Sequence, residues 1–486
     1  MRDYVVLISL NAAVTRTVAR KLRAEHICCH IEPAGVPAAA IQQPDVRGVI
    51  VAADATGIAA DMPQLKDYLQ SGVPMLCLGD AALTLCETCG GKLSDLPRPG
   101  GVEQVQFDHS HDLFTNVEDG ERYLQACRYM TLLPEAAEIV ATTPDGILGF
   151  RLPQRNVWGL AMQLERNDMS GTQLLLNFCR DVCQCTLWWS NQAFIDRAKT
   201  AITMAAGGGE ALCALSGGVD SGVCALLGHM ALDTKLHCIF IDTGLLRKNE
   251  AAQVMDFYST RAGLDLRRVD ASEEFLTALA GVTDAADKER IIFRLLQQVL
   301  TRETAAHENI RLVIQGTNYS DVLSGGTYPL QARAEDIAII EPVRELFKDE
   351  VRTIGEELGM SQQMLLRQPF PGSGLAGRII GEVTPEKLAI VREADAIFRY
   401  EITENNQARR LWQYFAALAD APDAEGGYVV TLRAVQAVDG SGGMAARLPS
   451  DLLERVTLEI LRRCPQVRRV LFDLTPSKSY TPVEAL

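Results

Sequence analysis

Residues 211–232 read ALCALSGGVDSGVCALLGHMAL, and the change of character halfway along decides the fold of the middle of the chain. A buried apolar strand ends at Leu215, Ser216-Gly217-Gly218 turn sharply, and Asp220-Ser221 open a helix. Glycines let a backbone approach an anion closely, and the helix N-terminus presents N–H groups and the positive end of its dipole. Ser216 and Ser221 add hydroxyl donors, and Asp220 is placed to help hold a magnesium ion bound to phosphates. A plain strand–helix turn would account for the glycines but not for the serines and aspartate around them. No Gly-Lys-Ser/Thr follows, so this is not a Walker loop, and γ-phosphate transfer is not the natural reading; nor is it GxGxxG.

Outward from the loop the βα alternation continues. LHCIFID, LRRVD and IRLVIQG read as further strands with helices between them. Upstream, NQAFIDRAKTAITMAAGGGE reads as a linking helix closed by Gly207, Gly208 and Gly209. Before it, YVVLISL, VRGVIVAAD and VPMLCLGD read as buried strands, with TRTVARKLRAE and AALTLCETCGG as helices. This alternation predicts an open α/β sheet. Beyond QPFPGSGLAGR the pattern becomes α+β, with GGYVVTLRAV and VRRVLFDLT as strands around the helical LPSDLLERVTLEILRRC. The expected domains are 1–190, 191–365 and 366–486, without internal repeats or low-complexity tracts.

The whole-chain composition agrees. At 486 residues the chain is too long for one ordinary domain, and 47% hydrophobic with 22% charged residues are globular values. A net charge of −15 argues against non-specific binding to nucleic acid or an anionic membrane. No apolar run is long enough to span a bilayer, and MRDYVVLISLNAAV carries an acidic residue and enters a strand, unlike a secretory signal. The expectation is a cytoplasmic protein whose thirteen cysteines are reduced thiols packed as small hydrophobes. Cys86 and Cys89 form a CxxC, and Cys183 and Cys185 follow Cys179. A zinc site would need such pairs to converge with further ligands, and no histidine lies near them in sequence.

SGGVDS resembles the PP-loop of the N-type ATP pyrophosphatases, which cleave ATP between its α and β phosphates. CIFIDTGLLRKNEAAQVMDFY, VDASEEFLTALAGVTD, IQGTNYSDVL, EPVRELFKDEVRTIGEELGM and RQPFPGSGLAGRIIGEV resemble segments of the GMP synthetase family, in the family's order and near its spacing. TLRAVQAVDGSGGMAARLPSDLLERV and VRRVLFDLTPSKSYTPVEAL extend the resemblance to the C-terminus. It implies three parts: a class I amidotransferase-like open α/β domain, a parallel α/β PP-loop domain of the adenine nucleotide α hydrolase type, and a smaller α+β C-terminal dimerisation domain. The implied chemistry adenylates the C2 oxygen of XMP with ATP and Mg²⁺; ammonia then displaces AMP. Carried over by position, Ser216, Gly217, Gly218, Val219, Asp220, Ser221, Gly222 and Gly316 would hold ATP, with Ser216, Asp220 and Ser221 nearest the chemistry. Arg247, Arg378, Lys478, Val483 and Glu484 would contact the acceptor nucleotide.

The departures are as informative. The family's C-terminal lysine, two prolines and Ala-Thr-Ile-Glu-Trp-Glu become KSYTPVEAL, and its lysine- and histidine-containing lid is replaced by the shorter SGGTYPLQARAEDIAIIEP. The family's Asp-Phe-Met-Thr-Ala becomes Asp439-Gly-Ser-Gly-Gly-Met. The ATP half therefore looks intact and the acceptor pocket altered. In the N-terminal part, PMLCLGDAALTLCETCGG puts Gly79 where the amidotransferase class carries its nucleophilic cysteine, and WGLAMQLERND puts Gln163 at the histidine while keeping Glu165. Ala126 stands at a further histidine position. Cys77 lies within the strand rather than at the turn, and no histidine follows His111 in this part.

Three functions are compatible with these residues. The first is adenylation of an oxo group on a purine-type nucleotide, followed by attack of ammonia or an amine from a separate donor. The second is ATP-dependent sulfur insertion, with a separate sulfur donor. The third is a non-catalytic paralogue, which the intact SGGVDS and RELFKDEVR disfavour. A homodimer is implied by the resemblance alone.

Overall fold

The computed structural model describes residues 3–53, 64–95, 97, 99–124, 128–164, 169–307, 309–323, 337–365, 367, 370, 372–421, 426–437 and 443–476. The chain divides into two compact units, Met1–Phe194 and Ile195–Leu486.

In the first unit β1 (Tyr4–Ser9) leads through α1 (Ala12–Ala24) to β2 (Cys29–Pro33), then β3 (Val46–Ala53), β4 (Met75–Gly79) and α2 (Asp80–Thr88). Asn11 starts α1 by accepting from Ala13 N and Val14 N, satisfying two donors that the helix leaves open. β5 (Gly101–Phe107), β6 (Gly120–Leu124), β7 (Glu138–Thr143), β8 (Gly146–Leu152) and β9 (Val157–Leu160) extend the sheet before α3 (Met169–Asn177), and two short strands, Lys92–Leu93 and Met130–Leu132, pair at its side. The order is β2-β1-β3-β4-β9-β8-β7-β5-β6. The first five strands are parallel, and from β8 onward the pairing is antiparallel. Strands flanked by helices bury both faces, which is why β3 is a nearly unbroken apolar run. Helix α4 (Asn191–Ala206) spans the division between the units.

The second unit opens with β10 (Glu210–Ala214), α5 (Val219–Leu232), β11 (Leu236–Asp242), α6 (Glu250–Met255) and β12 (Leu266–Asp270). Then come α7 (Ser272–Leu279), α8 (Ala285–Ala305), β13 (Ile310–Ile314), β14 (Ala338–Ile340) and α9 (Lys348–Glu357). The sheet is fully parallel in the order β12-β11-β10-β13-β14. The chain moves from β10 toward one edge, then restarts at β13 on the other side. The carboxyl ends of β10 and β13 therefore form the crevice where open parallel sheets bind ligands.

A four-stranded sheet follows helix α10 (Pro385–Glu404). It contains β15 (Gln413–Asp420), β16 (Tyr428–Ala437), β17 (Gly443–Ala445) and β18 (Val467–Asp473), with α11 (Ser450–Arg463) before β18. Central β16 pairs antiparallel with β15 and β17 and parallel with β18. Thr384 caps α10 through Lys387 N, and Pro385 fits its first turn, where no N–H is needed. One apolar core runs from α7 and α8 through α10 to β15, β16 and α11. Among the described residues, no helix is long and apolar enough to cross a membrane.

Candidate active site

Residues 211–232 form the expected strand, turn and helix, each boundary one residue earlier than expected: β10 ends at Ala214 and α5 begins at Val219. Gly217 takes φ +79°, which glycine adopts without a Cβ penalty. The loop is held from within. Ser221 Oγ accepts from Ser216 N at 3.1 Å, lies 2.9 Å from Ser216 Oγ and donates to Gly218 O at 3.2 Å. Gly218 N donates to Ser216 Oγ at 3.3 Å. The first helical bond runs from Gly222 N to Gly218 O, so the N–H groups of Val219, Asp220 and Ser221 precede the ladder and face the helix mouth. Two other glycines make this possible. A Cβ at Gly316, just beyond β13, would lie 2.6 Å from Ser221 N, and one at Gly222 would lie 1.9 Å from Tyr258 Oη.

Asp220 Oδ2 is ion-paired with Lys348 Nζ, from the first residue of α9, while Oδ1 is buried with no hydrogen-bond partner among the described residues. Nearby, burial raises Asp321 above its ordinary range and the Asp220 carboxylate adds to it. Among the described residues no three His, Cys, Asp or Glu side chains converge to hold a metal. One carboxylate with an open oxygen beside a phosphate loop nevertheless suits Mg²⁺, which takes one or two carboxylates plus substrate phosphates. Beneath the loop, Cys213 faces Cys238 in register across β10 and β11. The hydrogen bond to Cys238 and then burial push the Cys213 thiol up, and burial does the same to Cys224. Neither offers a thiolate, the form a sulfur carrier needs.

Arg247 and Arg378 come together, 4% and 1% exposed. Arg378 Nη1 donates to Asp395 Oδ1 at 2.8 Å, and Arg247 Nε stands 3.6 Å from Asp395 Oδ2. Arg399 Nη1 reaches the same oxygen at 4.0 Å. The Arg247 guanidinium lies 4.2 Å over the Phe370 ring, and Arg378 lies 4.4 Å over Phe415. Burial pulls Arg247 down to about 9, and Asp395 opposes that fall. The three guanidinium groups outnumber the carboxylates that act on them, Asp395 and Glu250, which leaves this corner positive and suited to an anion. Lys478, Val483 and Glu484 lie outside the described residues, as do 324–336 of the shortened lid and 439–442 of the altered 439–444 segment; the rest of the lid runs into β14 and the rest of the altered segment into β17.

In the first unit Gly79 closes β4 and caps α2, with φ +61° and ψ −131°. The strand turns sharply into the helix at this glycine, in a conformation other residues rarely adopt, and the turn carries no side chain. A Cβ there would fall 2.1 Å from Ala53 O, at the end of β3. Gln163 follows the end of β9, which runs parallel to β4 with Leu160 beside Leu78, so positions 79 and 163 leave the same edge of neighbouring strands. Glu165 and Ala126 lie outside the described residues. Cys77 is fully buried in β4, and burial pushes its thiol far up. His111 packs edge-on to Trp158, 3.6 Å from Asp108.

Lys348, Arg367, Glu250 and Asp395 were not singled out from sequence. Lys348, Arg367 and Glu250 lie in segments that resemble the family and Asp395 does not; Lys348 pairs across 128 residues and Arg367 with Glu250 across 117. No local pattern carries such partnerships.

Residues 400–484 match the family model described as GMP synthase C terminal domain. Among curated proteins the chain is similar to the glutamine-hydrolysing GMP synthase of Caldicellulosiruptor saccharolyticus, at 36% identity over 97% of this chain and 98% of that one. It is 33% identical to that of Caldanaerobacter subterraneus subsp. tengcongensis, over 98% and 97%. It is 34% identical to that of Geobacillus kaustophilus, over 98% of each chain.

Proposed function

The chain belongs to the GMP synthase family, and on that premise we propose that it is an ATP-dependent C–N ligase that draws its nitrogen from free ammonia or a separately delivered amine. The observation that carries this reading is the contrast between the two units: a complete phosphate loop in one, and a Gly79 elbow without a nucleophile in the other. With no side chain at 79 and glutamine at 163, the thiolate and its general base are both missing.

In the proposed reaction the oxo oxygen of a purine-type nucleotide, XMP or a close relative, attacks the α-phosphorus of ATP. The bond to the bridging oxygen breaks, and pyrophosphate leaves. The amine then attacks the activated carbon, loses a proton, and AMP departs with the former oxo oxygen. The N–H groups of Val219, Asp220 and Ser221 are set to bind the phosphates that leave, and Lys348 adds positive charge beside them. Asp220 would hold Mg²⁺, which when bound neutralises charge on the departing pyrophosphate. Arg247 and Arg378 would bind the acceptor, joined by Lys478, Val483 and Glu484. The division at 190 and 365, the dimer and a cytoplasmic setting complete the proposal.

The test is pyrophosphate and AMP release with a panel of purine nucleotides. Turnover is expected with ammonium and not with glutamine. Release of glutamate from glutamine would overturn the nitrogen source, and absence of turnover with every acceptor and amine would overturn the ligase reading.

A further inference from the structure

The Arg367 guanidinium bridges the two halves of the candidate site. Nη1 donates to Gly217 O in the phosphate loop, and Nη2 pairs with Glu250 Oε1. The other Glu250 oxygen accepts from Arg247 N at 2.6 Å. The side chains of Arg367 and Glu250 are only 12% and 5% exposed. A Cβ at Gly217 would lie 2.9 Å from Arg367 Nη1, so the guanidinium lies directly on this glycine. The Gly217 carbonyl and the Gly218 N–H belong to one rigid peptide plane and point opposite ways. Holding the carbonyl therefore keeps the plane from flipping, which would break the bond from Gly218 N to Ser216 Oγ and turn an oxygen into the loop.

We propose that Arg367 and Glu250 form a positioning clamp that fixes the Gly217–Gly218 peptide and the Arg247 backbone together, registering the ATP loop with the acceptor arginines. The clamp rests on the ATP and acceptor reading given above. It needs a fork: a lysine reaches one partner or the other, but not both.

Arg367→Met, Arg367→Lys, Glu250→Gln and the Arg367→Met/Glu250→Gln double variant of the full chain test it. Calorimetry gives the Kd for Mg-ATP without turnover, pyrophosphate release gives KM for the acceptor, and melting checks folding. Arg367→Met is expected to weaken both Mg-ATP and acceptor by about tenfold or more, and Arg367→Lys by less. The double variant should be no worse than Arg367→Met, because the two residues act as one unit. Should a single variant fail to fold for want of its buried partner, the double variant, lacking both charges, carries the test. Folded variants that bind Mg-ATP as the wild type does would overturn the clamp. Failure of the wild type itself to bind Mg-ATP would overturn the ATP reading beneath it.

Discussion

Gly79 illustrates how a single position sets a limit on chemistry. Restoring a thiol by Gly79→Cys puts a Cβ against Ala53 O and forces a side chain onto φ +61°. The expected result is a loss of about 1–3 kcal/mol of stability with no glutamate formed, read by denaturant melts and a coupled glutamate assay. A second residue pair makes a sharper test. Gly222→Ser drives its Cβ into Tyr258 Oη and is expected to cost about 1–3 kcal/mol. Tyr258→Phe, which removes a buried hydroxyl without a hydrogen-bond partner among the described residues, should recover much of that in the double variant. Equal melts for Gly222→Ser with and without Tyr258→Phe would contradict the contact. That glycine stands at position 79 of the strand–helix turn was legible in sequence, because placing a motif only requires counting. What presses on a glycine was not, because Ala53 and Tyr258 reach their positions through tertiary folding.

The decisive element is the turn from β10 into α5, and its internal bonds make Ser221 the residue to remove. Ser221→Ala loses the partner of Ser216 N and of Ser216 Oγ. The KM for ATP is expected to rise about tenfold with little change in the acceptor KM, measured by pyrophosphate release; equal increases in both would argue for general damage. Parallel strands were readable because burial on both faces leaves long apolar runs, as in VRGVIVAA. The antiparallel extension was not. In β5 only Val105 and Phe107 are buried while Val102 is 63% exposed, so the alternation that marks a half-buried strand is blurred. β15 went unread for the opposite reason. QYFAALAD is buried on both faces over most of its length, and an apolar run with three alanines fits a helix equally well.

At the scale of the molecule, two units with their own cores are expected to unfold in two calorimetric transitions. ATP at about 100 times its Kd should raise one of them by about 2.7 kcal/mol and leave the other in place. A single transition, or one in which ATP moves both, would speak against independent units. The loop after β10 was legible because its glycines, serines and aspartate are contiguous; the crevice beside β13 was not, because strand order is set by pairing. Of the five residues expected at an acceptor, Arg247 and Arg378 meet and Lys478, Val483 and Glu484 lie outside the described residues; Asp395 and Phe415, which hold the two arginines, come from a helix and a strand that no local pattern ties to them. At Gly316 the backbone beyond β13 comes so near Ser221 that even a methyl group would not fit between them. The first turn of α5, which closes the phosphate loop, is therefore pressed against the segment beyond β13 before any nucleotide arrives. Little ordering entropy remains to be lost on binding, and the affinity for ATP can come from contacts rather than from folding the loop around it.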